Sequence, residues 1–118
     1  MIIKNEDHDI SKVGTSLQGY VQCSYDDLVN TFGTPTIEGG METKIEVEWN
    51  LTFYDPSKHF DEVQIATIYN WKNGKRYCGE EEGLDPQDIK QWNIGGHSKY
   101  ALHLVEKAIK DYKEKKVD

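Results

Sequence analysis

The sequence predicts an α+β fold: a mostly antiparallel sheet of four to five strands, covered on one face by a long C-terminal helix and a short N-terminal helix. Three observations carry this expectation. Ile45, Val47, Trp49, Leu51 and Phe53 alternate with Lys44, Glu46, Glu48, Asn50 and Thr52, the period of a strand with one buried and one wet face. Ala101, Leu104, Val105, Ala108, Ile109 and Tyr112 recur at the spacing of one helical face. The length, 118 residues without internal repeats, suits one core.

Taken in order, residues 1–13 are polar, charged and aperiodic, and are expected to form a flexible N-terminal segment before a single domain over 14–118. Leu17 to Cys23 reads as a short strand interrupted by Gly19. A helix follows: Ser24 is its cap, Asp27 the acidic partner of a capping box, and Asp26 and Asp27 favour the positive end of its dipole. Gly33 suits a left-handed stop, and Pro35 prevents continuation. Gly39-Gly40 marks a loop before the alternating strand, and Asp55-Pro56-Ser57 a turn after it. Glu62 to Trp71 is apolar on both faces, as a central strand would be. Asn73-Gly74 tolerates the positive φ angles of a type I′ turn and predicts a hairpin. Gly79 to Gly83 is a charged loop. Asp85 before Pro86 predicts one helical turn through Lys90. Gln91 to Ile94 is a short strand that Gly95-Gly96 breaks, and Ser98 can cap the last helix.

Charge is unevenly spread. The net value is −7, yet residues 107–118 carry +2, leaving −9 on the remainder. Such a body repels nucleic acid, and Arg76, the single arginine, leaves little for bidentate base reading. Direct nucleic-acid binding is not expected. The same charge suits the basic groove of a protein partner, and it also serves solubility. No apolar run approaches the length of about eighteen residues that a membrane span needs, so no membrane partner is expected. The early acids Glu6 and Asp7 do not fit a signal peptide, and the expected residence is cytoplasmic. Cys23 and Cys78 lack metal and redox spacings and are expected as reduced thiols.

Catalytic chemistry finds little support. His8, His59, His97 and His103 are scattered, and His97 and His103 project in different directions on a helix, so no metal is expected. Glu46 and Glu48 share one strand face and could hold magnesium, but the polar side of any amphipathic strand looks the same. Nucleophile elbow, phosphate loop and zinc-protease motifs are all missing from the sequence. Neither enzymatic activity nor a cofactor is expected.

Two segments suit a small ligand. Trp92-Asn93-Ile94-Gly95-Gly96-His97-Ser98 runs through paired glycines into a helix start, where free N–H groups favour an anion. Gly14-Thr15-Ser16-Leu17-Gln18-Gly19-Tyr20 places hydroxyls, an amide and an aromatic between glycines. Thr15, Ser16, Gln18, Gly95, Gly96, His97 and Ser98 are the candidate polar contacts. Tyr69, Trp71 and Trp92 are candidate stacking surfaces, and Arg76 is the candidate cation, with Lys72, Lys75 and Lys99. Gly-Gly before Ser also makes an ordinary strand-to-helix turn. Taken singly, each tryptophan is more at home in a core. Together with the seven tyrosines, they predict a partly exposed aromatic patch on the sheet face opposite the helices. For a protein partner, the candidate contacts are Glu46, Glu48, Glu80, Glu81 and Glu82.

At these segments the chain resembles a group of small proteins of tailed bacteriophages. The matching pieces are Gly14 to Tyr20, Tyr25 to Val29 with Phe32-Gly33-Thr34-Pro35, Val47-Glu48-Trp49, Ala66 to Lys72, and Trp92 to Gly96 with Ala101-Leu102. No catalytic residue comes with the resemblance. It implies a non-enzymatic phage protein acting in the host cytoplasm against antiviral immunity. The leading form is a sponge that sequesters a small nucleotide-derived immune signal, with a homo-oligomer bringing cations together. The alternatives are an acidic inhibitor of a host defence nuclease, of anti-CRISPR type, and a structural or accessory phage protein.

Overall fold

A computed structural model describes residues 2–6, 14–40, 44–55 and 63–116. In chain order its elements are β1 (Ile2–Asn5), β2 (Ser16–Gln22), α1 (Tyr25–Phe32), β3 (Ile37–Gly40), β4 (Ile45–Tyr54) and β5 (Gln64–Tyr69). Then follow α2 (Lys75–Cys78), a 3₁₀ turn (Pro86–Asp88), β6 (Gln91–Gly96) and α3 (Lys99–Lys116). The fold is α+β, as the residue pattern predicts. All strand pairs are antiparallel, in the order β1-β4-β5-β6-β2. β3 shares an edge of β4 with β1, end to end, opposing Ile45 to Glu48 while β1 opposes Leu51 to Tyr54. Six strands therefore occupy five positions.

β1 and β3 are corrections to the expected layout. Ile2–Asn5, expected to be flexible, is fixed by Asn5, whose Nδ2 donates to the carbonyls of Phe32 (3.1 Å) and Thr34 (2.7 Å) while Oδ1 accepts from Thr36 Oγ1. The rest of that expected segment, 7–13, lies outside the described residues, as do positions 56 and 57 of the expected turn. Gly39 and Gly40 lie in β3 rather than in a loop.

The expected hairpin at Asn73-Gly74 does not form. Gly74 is extended (φ −88°) and opens α2, and the positive φ falls on Lys72 instead (58°). The reason is non-local. Asn70, 1% exposed, leaves the end of β5 and accepts through Oδ1 from the N–H groups of Glu46 (2.7 Å) and Val47 (3.1 Å). Its Nδ2 donates to Asn73 Oδ1 (2.9 Å), and Leu84 N–H donates to the Asn73 carbonyl (2.8 Å). These bonds turn the chain away from a return strand.

The local chemistry of α1 is as predicted. Ser24 and Asp27 form the reciprocal capping box, and Gly33 follows at φ 94°. Burial alone would raise the Asp27 carboxyl, but the Ser24 N–H and Lys113, 3.4 Å away, hold it below its ordinary range. That ion pair also ties α3 to the start of α1. The core lies between these helices and the sheet. At its centre Trp49 and Trp92, both fully buried, meet edge to face at 5.5 Å. Leu104, Val105 and Ile109 of α3 close over Ile68, Ile94 and Val21. No helix of the described residues is long and apolar enough to cross a membrane.

Both cysteines are free, Cys23 buried and Cys78 exposed. Burial, with Asp27 nearby, pushes the Cys23 thiol up to about 11. One thiol per native chain is therefore expected to react quickly with an aromatic disulfide reagent, the second only on unfolding. Two fast thiols would contradict this packing. Because the folded value lies above the ordinary 9.0, the contribution of Cys23 to stability is intact below pH 9. It is lost as pH rises towards about 11, and Cys23→Ala should flatten that stretch of the stability profile.

Candidate functional site

The face of the sheet opposite α3 carries the candidate site. Tyr20, Asn93, Tyr69 and Glu48 are successive cross-strand partners on β2, β6, β5 and β4, so their side chains form one row on that face. Beyond the row stands Trp71, edge to face with Tyr69 at 6.3 Å and 37% exposed. Lys44 and Lys72 each hold their ammonium 5.9 Å from the centre of the Trp71 ring. Tyr20 is 52% exposed. Between Tyr20 and Trp71 opens a cleft of about 520 Å³, with Asn73, Asn93, Gln91 and Lys90 as polar lining and Leu84 as apolar wall. Asp88 supplies one acid.

The wall of this cleft is held firmly. The excursion from Asn70 to Lys90 is pinned at its start by Asn70, in its middle by the Gly74–Leu84 bridge, and at its end by Ile89, 1% exposed. Lys75 Nζ adds an ion pair to Asp85 at 3.1 Å. A Cβ on Gly83 would lie 2.4 Å from Lys75 Cα, so only glycine allows this crossing. Tyr69 keeps its phenolic proton more strongly than usual, through burial and then the nearby Glu48 and Tyr20. At neutral pH it is a hydrogen-bond donor.

The predicted site residues divide into three groups. Trp71 lines the cleft, and Tyr69 stands behind it, packed against the Trp71 ring. Thr15, Ser16, Gln18, His97 and Ser98 meet instead at a corner where β2 begins, β6 ends and α3 begins, Ser16 opposing Gly96. There Gln18 Nε2 donates to the Gly96 carbonyl (2.9 Å), and Lys99 Nζ donates to the Gln18 carbonyl (2.9 Å). Ser98 Oγ accepts from Tyr100 N–H at 3.3 Å, as a helix cap. Arg76 faces neither place: its Nη1 donates to the Ile45 carbonyl (3.3 Å), and it lines a separate hollow with Tyr25, Glu38 and Glu46.

Three expectations are corrected. Trp92 is no stacking surface, since it is fully buried and its Nε1 donates to the Cys23 carbonyl (3.2 Å). Gly95 and Gly96 do not break β6 and do not open a phosphate loop, because both lie within the strand. A Cβ on Gly95 would meet Thr67 Oγ1 at 2.5 Å, and one on Gly96 would meet Ala101 Cβ at 2.5 Å. Gly96 lets β6 pass beneath α3, and Gly95 makes room for Thr67 on the other face. Glu46 is not a free surface acid, since its Oε1 accepts from Arg76 N–H at 3.2 Å. Glu48 shares its face, as expected, but is half-buried opposite Tyr69. Glu80, Glu81 and Glu82 are exposed.

Tyr20 and Asn93 lie in the two segments that the sequence offers for a ligand without being singled out there, and Asn73, Lys44 and Lys90 escaped the sequence reading of the site. A further unanticipated residue is Asn50, in the neighbouring row with Thr67 and Gly95. It is fully buried, and neither amide atom has a hydrogen-bond partner among the described residues. Such a group costs about 1–3 kcal/mol, so Asn50→Leu, with the same γ-branched arrangement of heavy atoms, is expected to raise stability by up to that order in urea titration. A lower midpoint would show the amide to be satisfied by buried water. Among the described residues no group of three or more metal-ligating side chains converges.

No family model, no curated protein and no solved structure matches this chain.

Proposed function

We propose that this chain is a non-enzymatic binding protein of phage type that counters host antiviral immunity by sequestering a small nucleotide-derived signal in the Tyr20–Trp71 cleft. One observation carries the reading: an exposed indole and an exposed phenol flank a cleft whose polar lining is three amides, one lysine and one acid. Its size falls within the range of small-molecule sites, roughly 300–1,000 Å³. A base stacks on Trp71, the amides of Asn73, Gln91 and Asn93 meet its edge, and Lys44, Lys72 and Lys90 approach the phosphates. The acid Asp88 accepts from an amino edge. A local cluster of lysines thus offsets the acidity of the body.

Calorimetry against cyclic dinucleotides and cyclic ADP-ribose derivatives tests it. Heat is expected with at least one of them, and Trp71→Ala should weaken binding about tenfold or more, since stacking contributes about 1–3 kcal/mol per base. The fold should survive, as Trp71 lies outside the core. Silence with the whole panel sinks the reading. The exposure of Glu80, Glu81 and Glu82 favours a second one, an acidic inhibitor of a host nuclease. Lysine at all three positions would then abolish protection of the phage and leave Trp71→Ala without effect.

A further inference from the structure

β2 is an edge strand: among the described residues β6 is its one neighbour. Its two halves differ. The first half is protected, by an irregularity in register between Leu17 and Gly19 and by Lys99 Nζ bonded to the Gln18 carbonyl. The second half, Tyr20 to Gln22, is regular and has no such cover among the described residues. Beside it runs a groove of about 580 Å³ between the strand and α3, with Val21 and Ile109 as its floor. The helix presents Glu106, Lys110, Lys113 and Glu114 along this groove, two acids and two bases on one stripe.

We infer that this edge is the interface of a homodimer, formed by antiparallel pairing of Tyr20–Gln22 with the same residues of a second copy. The charge pattern selects that occupant. A partner of one sign would be repelled by half of the stripe, whereas a second copy, turned by a two-fold axis, brings acid to base twice. Distances agree with this. α3 packs across β2, β6 and β5, so its axis lies about one strand spacing inside the edge. The two-fold then sets the paired helices about 14 Å apart, three strand spacings. Close packing of helices needs 8–10 Å. Long side chains must therefore bridge the gap, and Glu106 of one copy reaches Lys110 of the other. Lys110 and Glu114 are 4.0 Å apart and well exposed within one chain, an ion pair readily exchanged for an intermolecular one. Tyr20 lines both the groove and the ligand cleft, so the second copy comes to border the cleft. The inference does not depend on what the cleft binds.

Sedimentation of the full chain over a wide concentration range tests it. The wild type is expected to show a monomer–dimer equilibrium. Glu106→Lys and Lys110→Glu, each alone, should weaken the dimer about tenfold, equivalent to about 1.4 kcal/mol over the two symmetry-related contacts. Mixing the two variants should restore association as a heterodimer, because every contact then pairs acid with base. Both positions are exposed, and unchanged circular dichroism will show the fold intact. A wild type that stays monomeric at the highest concentration overturns the inference. A dimer whose strength neither variant alters, or variants that fail to rescue each other, overturns it too.

Discussion

Trp92→Ala is expected to lower the free energy of unfolding by about 3–5 kcal/mol, the usual result of deleting a buried indole. The ring is fully buried, meets Trp49 at 5.5 Å and Tyr25 at 6.4 Å, and satisfies the Cys23 carbonyl through Nε1. Its removal opens a cavity at the point where β6, β4 and α1 converge and orphans a buried carbonyl. The neighbours cannot collapse into the space, since Trp49 is itself fixed by its Nε1 donating to the Gly33 carbonyl at 2.8 Å. With domain stabilities of roughly 5–15 kcal/mol, much of the folded population is at stake. Urea titration followed by far-UV circular dichroism measures the loss. A shift below about 1 kcal/mol would show that the ring is not the core residue described here.

Gly96→Val is expected to be comparably damaging, at about 3 kcal/mol or more, through overpacking. The added Cβ would stand 2.5 Å from Ala101 Cβ and 3.2 Å from the Ile65 carbonyl oxygen. Neither atom is the end of a flexible side chain. One belongs to the first turns of α3 and the other to the backbone of β5, so helix and sheet must separate. A smaller pair of changes isolates the cause. Gly96→Ala should destabilise less, and adding Ala101→Gly should recover part of the loss despite about 1 kcal/mol of helix propensity given up. If the double variant is no better than the sum of its parts, the clash is not with α3.

Those two residues also show where reading the chain succeeds and where it stops. α1, β4 and α3 were legible because their signals are local: a capping box at Ser24 and Asp27, ten residues of alternation, and an apolar stripe from Ala101 to Tyr112. β1 and β3 have four residues each and no period of their own. What orders them is the edge of β4 and the side chain of Asn5, both distant in sequence. At Asn73-Gly74 a strong local turn preference lost to Asn70, which found better partners on β4.

The candidate cleft was half legible. Tyr69 and Trp71 stand out as aromatics two apart near the end of a strand. Tyr20 and Asn93 join them through register alone, and period two actively misleads at β2. Leu17 and Tyr20 lie three apart, yet the irregularity before Gly19 places both on the face of Gly95 and Asn93. The paired glycines do mark close approach, but what approaches belongs to the same chain: Ala101 of α3 at Gly96 and Thr67 of β5 at Gly95.

The position of β6 has a consequence for synthesis. It sits between β5, its predecessor among the strands, and β2, whose residues 16–22 precede it by some seventy positions. A nascent chain that has reached only Lys90 therefore has two strand borders waiting for one missing ribbon, and it lacks Trp92, one of the two indoles at the centre of the core. Until Gly96 clears the ribosome, such a chain is sticky and has no cooperative fold to adopt. Products of premature termination before that point should be recovered in inclusion bodies or bound to chaperones, whereas chains ending a few residues after α3 begins would already own every strand of the sheet.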